Sequence, residues 1–157
     1  MTVSSSPKVL AAVIKCDPIP ASCDGTNDND VMKGSNGNDQ MIGNGGDDNM
    51  KGGAGNDYLE ARQNNDHLDG GPGNDLLLGD DEDGAAGVYG ADVINGGAGD
   101  DKLFQSQYIE SHGGEPVKSD GFKDTLDCGA GNDEAWINVN TDHDTVKNCE
   151  TVHTESD

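Results

Sequence analysis

The sequence predicts an all-β solenoid, in which short strands stack coil upon coil. Three observations predict it. A nine-residue unit recurs through most of the chain, clearest as GGAGNDYLE (Gly52–Glu60), GGPGNDLLL (Gly70–Leu78) and GGAGDDKLF (Gly96–Phe104). Each unit is rich in Gly and Asn for six positions, places Asp sixth and an apolar residue eighth. The chain as a whole is only 31% hydrophobic, with two Phe, one Trp and 24 Gly, too little apolar surface for one globular core. A fixed short period therefore means that each unit buries its apolar residue by stacking on its neighbours.

Ten copies can be placed along the chain. Copies starting at Gly25, Gly34, Gly43, Gly52, Ala61 and Gly70 follow one another without a gap, with Asp30, Asp39, Asp48, Asp57, Asp66 and Asp75 sixth and Met32, Met41, Met50, Leu59, Leu68 and Leu77 eighth. An insertion at 79–86 precedes the copy with Asp92 and Ile94, and the next copy carries Asp101 and Leu103. A second insertion, 105–118, precedes a weak copy with Asp124 and Leu126, and Cys128–Trp136 supplies Asp133 and Ala135. Six residues of Gly, Asn and Asp make a turn, because they tolerate positive φ at little cost. Three residues then make a strand whose middle side chain points inward. An acidic linker would not keep an apolar residue two places after each Asp through six contiguous copies.

Charge sharpens this reading. There are 31 acidic and 9 basic residues, a formal charge of −22. Low hydrophobicity with such a charge ordinarily means disorder, so order here calls for cations. Nucleic acid is a poor partner, since the electrostatic term is repulsive. No stretch approaches the roughly 18 apolar residues of a membrane span. Val9–Ile14 (VLAAVI) is too short for a usual signal-peptide core, and the reading favours a signal already removed.

The pattern G-G-x-G-x-D-x-U-x in these copies resembles the RTX, or haemolysin-type, calcium-binding repeat. The resemblance implies a right-handed parallel β-roll with two nonapeptides per coil. One column of turns then contains Asp30, Asp48, Asp66, Asp92 and Asp124, the other Asp39, Asp57, Asp75, Asp101 and Asp133. These carboxylates, with turn carbonyls such as those of Gly34, Gly43, Gly52, Gly70 and Gly96, are the expected ligands of Ca²⁺, which takes six to eight hard oxygens. Ions between adjacent rungs give roughly 6–8 sites. The copies with Asp66 (no Gly) and Asp124 (Gly and Phe exchanged) depart from the pattern and are expected to bind more weakly.

Four cysteines flank the repeats. Their spacing does not match a zinc site, and three pairings are possible in principle. Stacking separates the two ends of a roll, so Cys16–Cys23 and Cys128–Cys149 are the expected bonds, each stapling an end. The domain reading is accordingly an N-terminal cap at 1–24, the roll at 25–136 and a C-terminal cap at 137–157, the stretch Asp124–Val152 being similar to a C-terminal cap of many secreted relatives. Disulfides imply an oxidising, extracellular or cell-surface setting.

Positions seven and nine face outward. One sheet is expected to show Val31, Lys33, Asn49, Lys51, His67, Asp69, Val93, Asn95, Thr125 and Asp127, a solvated face. The other shows Gln40, Ile42, Tyr58, Glu60, Leu76, Leu78, Lys102, Phe104, Glu134 and Trp136, of which Ile42, Tyr58, Leu76, Leu78, Phe104 and Trp136 form an apolar patch. It is expected to contact Val9–Ile14 or the 105–118 insertion, a second copy, a surface or matrix partner or, as an outsider, carbohydrate.

No catalytic motif is present: no G-x-S-x-G, H-E-x-x-H, P-loop or nucleophile beside a base. His67, His112, His143 and His153 are scattered, the run at Asp80–Asp83 reads as solvated charge, and no EF-hand loop occurs. The expected function is a secreted, non-enzymatic calcium-binding β-roll that folds on external calcium, a structural or self-assembling component of a cell surface, matrix or filament. A calcium-dependent secretion or folding module of a larger toxin or hydrolase is the alternative. Ice binding would need a Thr-x-Asn ladder, which only Gly25–Asn27 suggests.

Overall fold

The computed structural model describes residues 12–16, 23–80, 89–106, 121–138 and 143–155. All regular structure among them is strand: β1 (Ala12–Lys15), β2 (Cys23–Asp24), β3 (Asp30–Lys33), β4 (Gln40–Asn44), β5 (Asn49–Lys51), β6 (Tyr58–Arg62), β7 (His67–Pro72), β8 (Leu76–Asp80), β9 (Val93–Ala98), β10 (Lys102–Ser106), β11 (Thr125–Ala130), β12 (Glu134–Asn138), β13 (Thr145–Lys147) and β14 (Thr151–Glu155). No helix among the described residues is long and apolar enough to cross a membrane.

Odd strands form one seven-stranded sheet and even strands a second. Every pairing is parallel and joins like positions of the repeat. Two nonapeptides thus complete one coil, and the molecule is a parallel β-roll. The register follows from burial: a one-residue slip would turn every eighth-position side chain outward. In the first sheet Met32, Met50, Leu68, Ile94 and Leu126 stack inward, and in the second Met41, Leu59, Leu77, Leu103 and Ala135 do so, all fully buried. They make one thin core between the sheets.

Several strands run longer than three residues. β7, β9 and β11 continue into the glycines of the following turn, where Gly71 pairs with Gly97 and Gly97 with Gly129. Identical turns stack as regularly as strands. The segments read as caps supply strands to the same two sheets: β1 pairs β3 and β2 pairs β4, while β13 pairs β11 and β14 pairs β12. Cys16–Cys23 and Cys128–Cys149 are both bonded as expected. Cys16 and Cys128 lie in the core, so each bond ties an end coil to the stack.

The insertions begin later than the sequence suggested. Gly79–Asp80 finish β8 and Gln105–Ser106 finish β10; residues 81–86 and 107–118 lie outside the described residues, as does His112. Residues 12–14 of the Val9–Ile14 segment do not cross the apolar face. They pair as β1 at the edge of the opposite sheet, and 9–11 lie outside the described residues.

Candidate metal-binding columns

Turns entering the odd sheet form the first column, and turns entering the even sheet form the second. Each is threaded by a hydrogen-bond ladder. In the first, the Asp30 N–H donates to Asp48 Oδ1 (2.8 Å), Asp48 to Asp66 (2.7 Å), Asp66 to Asp92 (2.9 Å) and Asp92 to Asp124 (2.7 Å). In the second, Asp39 donates to Asp57, Asp57 to Asp75 and Asp75 to Asp101 (2.8 Å each), and Asp101 to Asp133 (2.7 Å). All ten Asp residues from the sequence reading are brought together as two columns, and all ten are buried. The departures around Asp66 and Asp124 do not break the ladder.

Two further rungs were not foreseen. The Asp124 N–H donates to Asp144 Oδ1 (2.9 Å) and the Asp133 N–H to Glu150 Oε2 (2.8 Å). The signal was present in Asp144-Thr-Val-Lys, an Asp with an apolar residue two places on. Glu150 was hidden because its turn is cut to a few residues and its acid is one methylene longer. At the opposite end the ladder closes on itself. Asp30 accepts from Thr26 N (2.6 Å) and Thr26 Oγ1 (2.9 Å), Asp39 from Ser35 N (2.6 Å) and Ser35 Oγ (3.0 Å).

Position five adds a counter-running ladder. The N–H groups of Asn56, Asn74, Asp100 and Asn132 donate to the side chains of Asn38, Asn56, Asn74 and Asp100 (2.9–3.0 Å). Positions five and six of these repeats therefore bond in opposite directions along the column.

One carboxylate oxygen per rung accepts the N–H. The other has no hydrogen-bond partner and no solvent at Asp30, Asp48, Asp57, Asp66, Asp75, Asp101 and Asp133. Such oxygens are costly to bury, and the carboxyls respond. Burial pushes Asp48 and Asp101 up to about 6 and Asp75 to about 7, opposed by the N–H bond each accepts and aided by neighbouring carboxylates. Burial, then the charge of Asp92, pushes Asp66 to about 9. Asp57 and Asp133 are raised by burial too.

These oxygens border cradles that only glycine leaves open. A Cβ on Gly70 would meet Asp75 Oδ2 and the Gly96 carbonyl oxygen, and one on Gly52 would meet Asp57 Oδ2 and the Gly70 carbonyl oxygen. Gly34, Gly43 and Gly96 are placed likewise against Asp39, Asp48 and Asp101. Among the described residues no three His, Cys, Asp or Glu side chains converge on one point. A cation here would be held by carboxylate oxygens together with main-chain carbonyls. That all-oxygen donor set suits Ca²⁺, not Zn²⁺, and the bound ion would supply positive charge to an acidic stack. Asp39, Asp57, Asp75, Asp101 and Asp133 with the glycine carbonyls, and their first-column counterparts, fit it.

The even sheet's outer face carries the apolar row, though not as an open patch. Leu78 and Glu60 are buried, and Ile42, Tyr58, Leu76, Phe104 and Trp136 are half-buried. Glu60 accepts from Tyr58 Oη (2.9 Å) and Arg62 Nε (2.6 Å). Phe104, Trp136 and His153 stack at centroid separations of 4.3 and 4.4 Å, their planes nearly parallel. Rings so stacked cover the faces of Trp136 with their neighbours, which argues against a carbohydrate platform there. His153 is fixed by Glu134 (2.9 Å).

The sequence profile of the RTX calcium-binding nonapeptide repeat, in four copies, matches residues 24–59, 51–84 and 86–104, together half of the chain. No curated protein and no solved structure matches it at a significant level. With the parallel β-roll and its two carboxylate columns, the matched repeats place the chain in the RTX calcium-binding nonapeptide-repeat family.

Proposed function

We propose that the protein is a secreted, non-enzymatic calcium-binding β-roll that folds when it meets external calcium and then serves as a structural or self-assembling component of a cell surface, matrix or filament. The observation that carries the calcium part is the row of buried carboxylate oxygens without partners. In a chain of charge −22 they oppose folding until cations neutralise them. A ligand that binds only the folded state contributes its binding free energy to stability. Affinities of about 10⁻⁴–10⁻³ M suit extracellular modules, so a chain made at low cytosolic calcium stays unfolded and orders outside. Two disulfides support the extracellular setting, and the half-buried apolar row supports association.

Circular dichroism and light scattering during a calcium titration, reversed with EDTA, test this reading. Coil-to-β conversion with growing particles is the expected result. Conversion without growth removes the assembling role, and no response to calcium overturns the whole reading.

A further inference from the structure

The two columns are not equivalent, and the difference lies in the turn residues that pack from coil to coil. In the second column the first turn position is Gly34, Gly52, Gly70 and Gly96 in successive coils, followed by Cys128. The second position is Ser35, then Gly53, Gly71, Gly97 and Gly129; the fourth is Gly37, Gly55, Gly73, Gly99 and Gly131. Over residues 34–133 positive φ in this column occurs only at glycine, and Asn148 in the closing turn is the one other positive-φ residue of the column among the described residues. Each fourth-position glycine lies directly against its predecessor's carbonyl, so a Cβ on Gly73, Gly99 or Gly131 would strike the oxygen of Gly55, Gly73 or Gly99.

In the first column glycine keeps the first position at Gly25, Gly43 and Gly79, but Ala61 and Gln105, both fully buried, take it in two coils. Its second position carries Asn44 and Arg62, held at φ 81° and 89° and in register with each other. Asn44 Nδ2 donates to the Gly25 carbonyl oxygen (3.0 Å), and Arg62 Nη1 donates to Asn44 Oδ1 (2.9 Å). A first-position carbonyl is thus taken up by an amide, and a guanidinium supplies fixed positive charge at the edge of the stack. Both breaks in the nonapeptide period, between β8 and β9 and between β10 and β11, also fall in turns of this column.

We propose that calcium is held as a continuous file along the second column, through Asp39, Asp57, Asp75, Asp101 and Asp133, while the first column is interrupted by its own side chains at Ala61, Arg62 and Gln105 and holds no ion in those turns. Buried, unpartnered Oδ2 atoms of Asp57, Asp75 and Asp101 face Gly52, Gly70 and Gly96 in successive turns of the second column, as Asp48 Oδ2 faces Gly43 in the first. Asp66, in the first column, lies in a turn where Ala61 and Arg62 stand in place of the paired glycines of the second column, the guanidinium being held by Glu60 and Asn44. The chain then uses one edge as the calcium-driven spine and leaves the other to accept insertions, which would interrupt a continuous file of ions.

The proposal rests on the calcium-binding reading, and its test separates the two. Bound calcium per chain is counted by equilibrium dialysis and atomic absorption for wild type, D57N/D75N and A61G/R62G, and ion positions are read by anomalous diffraction from crystals grown in calcium. We expect D57N/D75N to lose roughly two ions and to need about tenfold more calcium for half-conversion or more. A61G/R62G, which opens a glycine turn beside Asp66, gains an ion. Anomalous peaks line the second column and are missing from the Ala61–Asp66 turn. A wild-type peak in the Ala61–Asp66 turn, or no gain by A61G/R62G, overturns this inference alone. A wild type that binds no calcium overturns both readings. Should D57N/D75N fail to fold, the wild-type ion positions and the glycine variant still decide.

Discussion

At the scale of single residues the roll is governed by carboxyls buried with half their hydrogen-bonding capacity unused. Each rung Asp accepts one N–H and buries a second oxygen that finds no donor at Asp48, Asp66, Asp75 and Asp101. Their folded-state carboxyls titrate at about 6 for Asp48 and Asp101, about 7 for Asp75 and about 9 for Asp66, above the ordinary value of 3.8. A raised folded value stabilises the fold fully below the unfolded value and loses that contribution as pH rises through the folded one. In EDTA, acidification from pH 9 toward pH 5 should therefore increase strand content, measured by far-ultraviolet circular dichroism. Calcium and protons compete for the same oxygens, so the calcium midpoint should fall as pH rises. Loss of strand signal on mild acidification without calcium would count against the buried, unpartnered carboxyls.

At the scale of elements, β10, β12 and β14 are held together outside the core by a ring stack as well as by their ladders. Trp136 lies between Phe104 and His153, with Lys102 Nζ 5.8 Å from its ring. Trp136→Ala removes both ring contacts and should cost about 1–3 kcal/mol, taking 0.5–1.5 for each pair, read from urea unfolding at saturating calcium. Trp136→Phe should recover most of the loss. Equal destabilisation by both variants would mean that a ring at this position contributes nothing through stacking. The membership of this face was legible in the sequence, because strand alternation and nine-residue spacing place Phe104 and Trp136 in one row. The inward Met and Leu columns and the ten Asp rungs were legible for the same reason. Less legible was what adjoining rows do to one another. The burial of Leu78 depends on its neighbours Glu60 and Phe104 in register, and the closure of the ladder by Thr26 and Ser35 depends on hydroxyls where most later turns have Gly, Asn, Arg or Asp. Glu150 escaped notice because no nonapeptide precedes it.

At the scale of the whole molecule, a solenoid is a sum of coils joined by nearest-neighbour contacts, so its unit of change is one coil, the 18-residue spacing of successive rungs. Deleting residues 52–69 joins Lys51 to Gly70 as Asp69 is joined now. Every residue downstream then keeps its sheet, its column and its inward or outward sense. Such a variant should retain a single cooperative calcium transition with a smaller strand signal. Deleting half a coil, 52–60, also leaves nonapeptides in phase, and every inward side chain stays inward. All downstream residues, however, change sheets: Phe104 and Trp136 leave the row of Ile42, and the glycine turns at Gly70, Gly96 and Cys128 move into the column of Asn44. If the columns were interchangeable, this deletion would be the gentler of the two, since it removes fewer contacts. Because the glycine file and the side-chain-interrupted file are distinct, the half-coil deletion should instead broaden the calcium transition and raise its midpoint, while the full-coil deletion stays near wild type. Paired calcium titrations followed by circular dichroism and Trp136 fluorescence check this, and a half-coil variant as cooperative as the full-coil one would make the two edges of the roll equivalent.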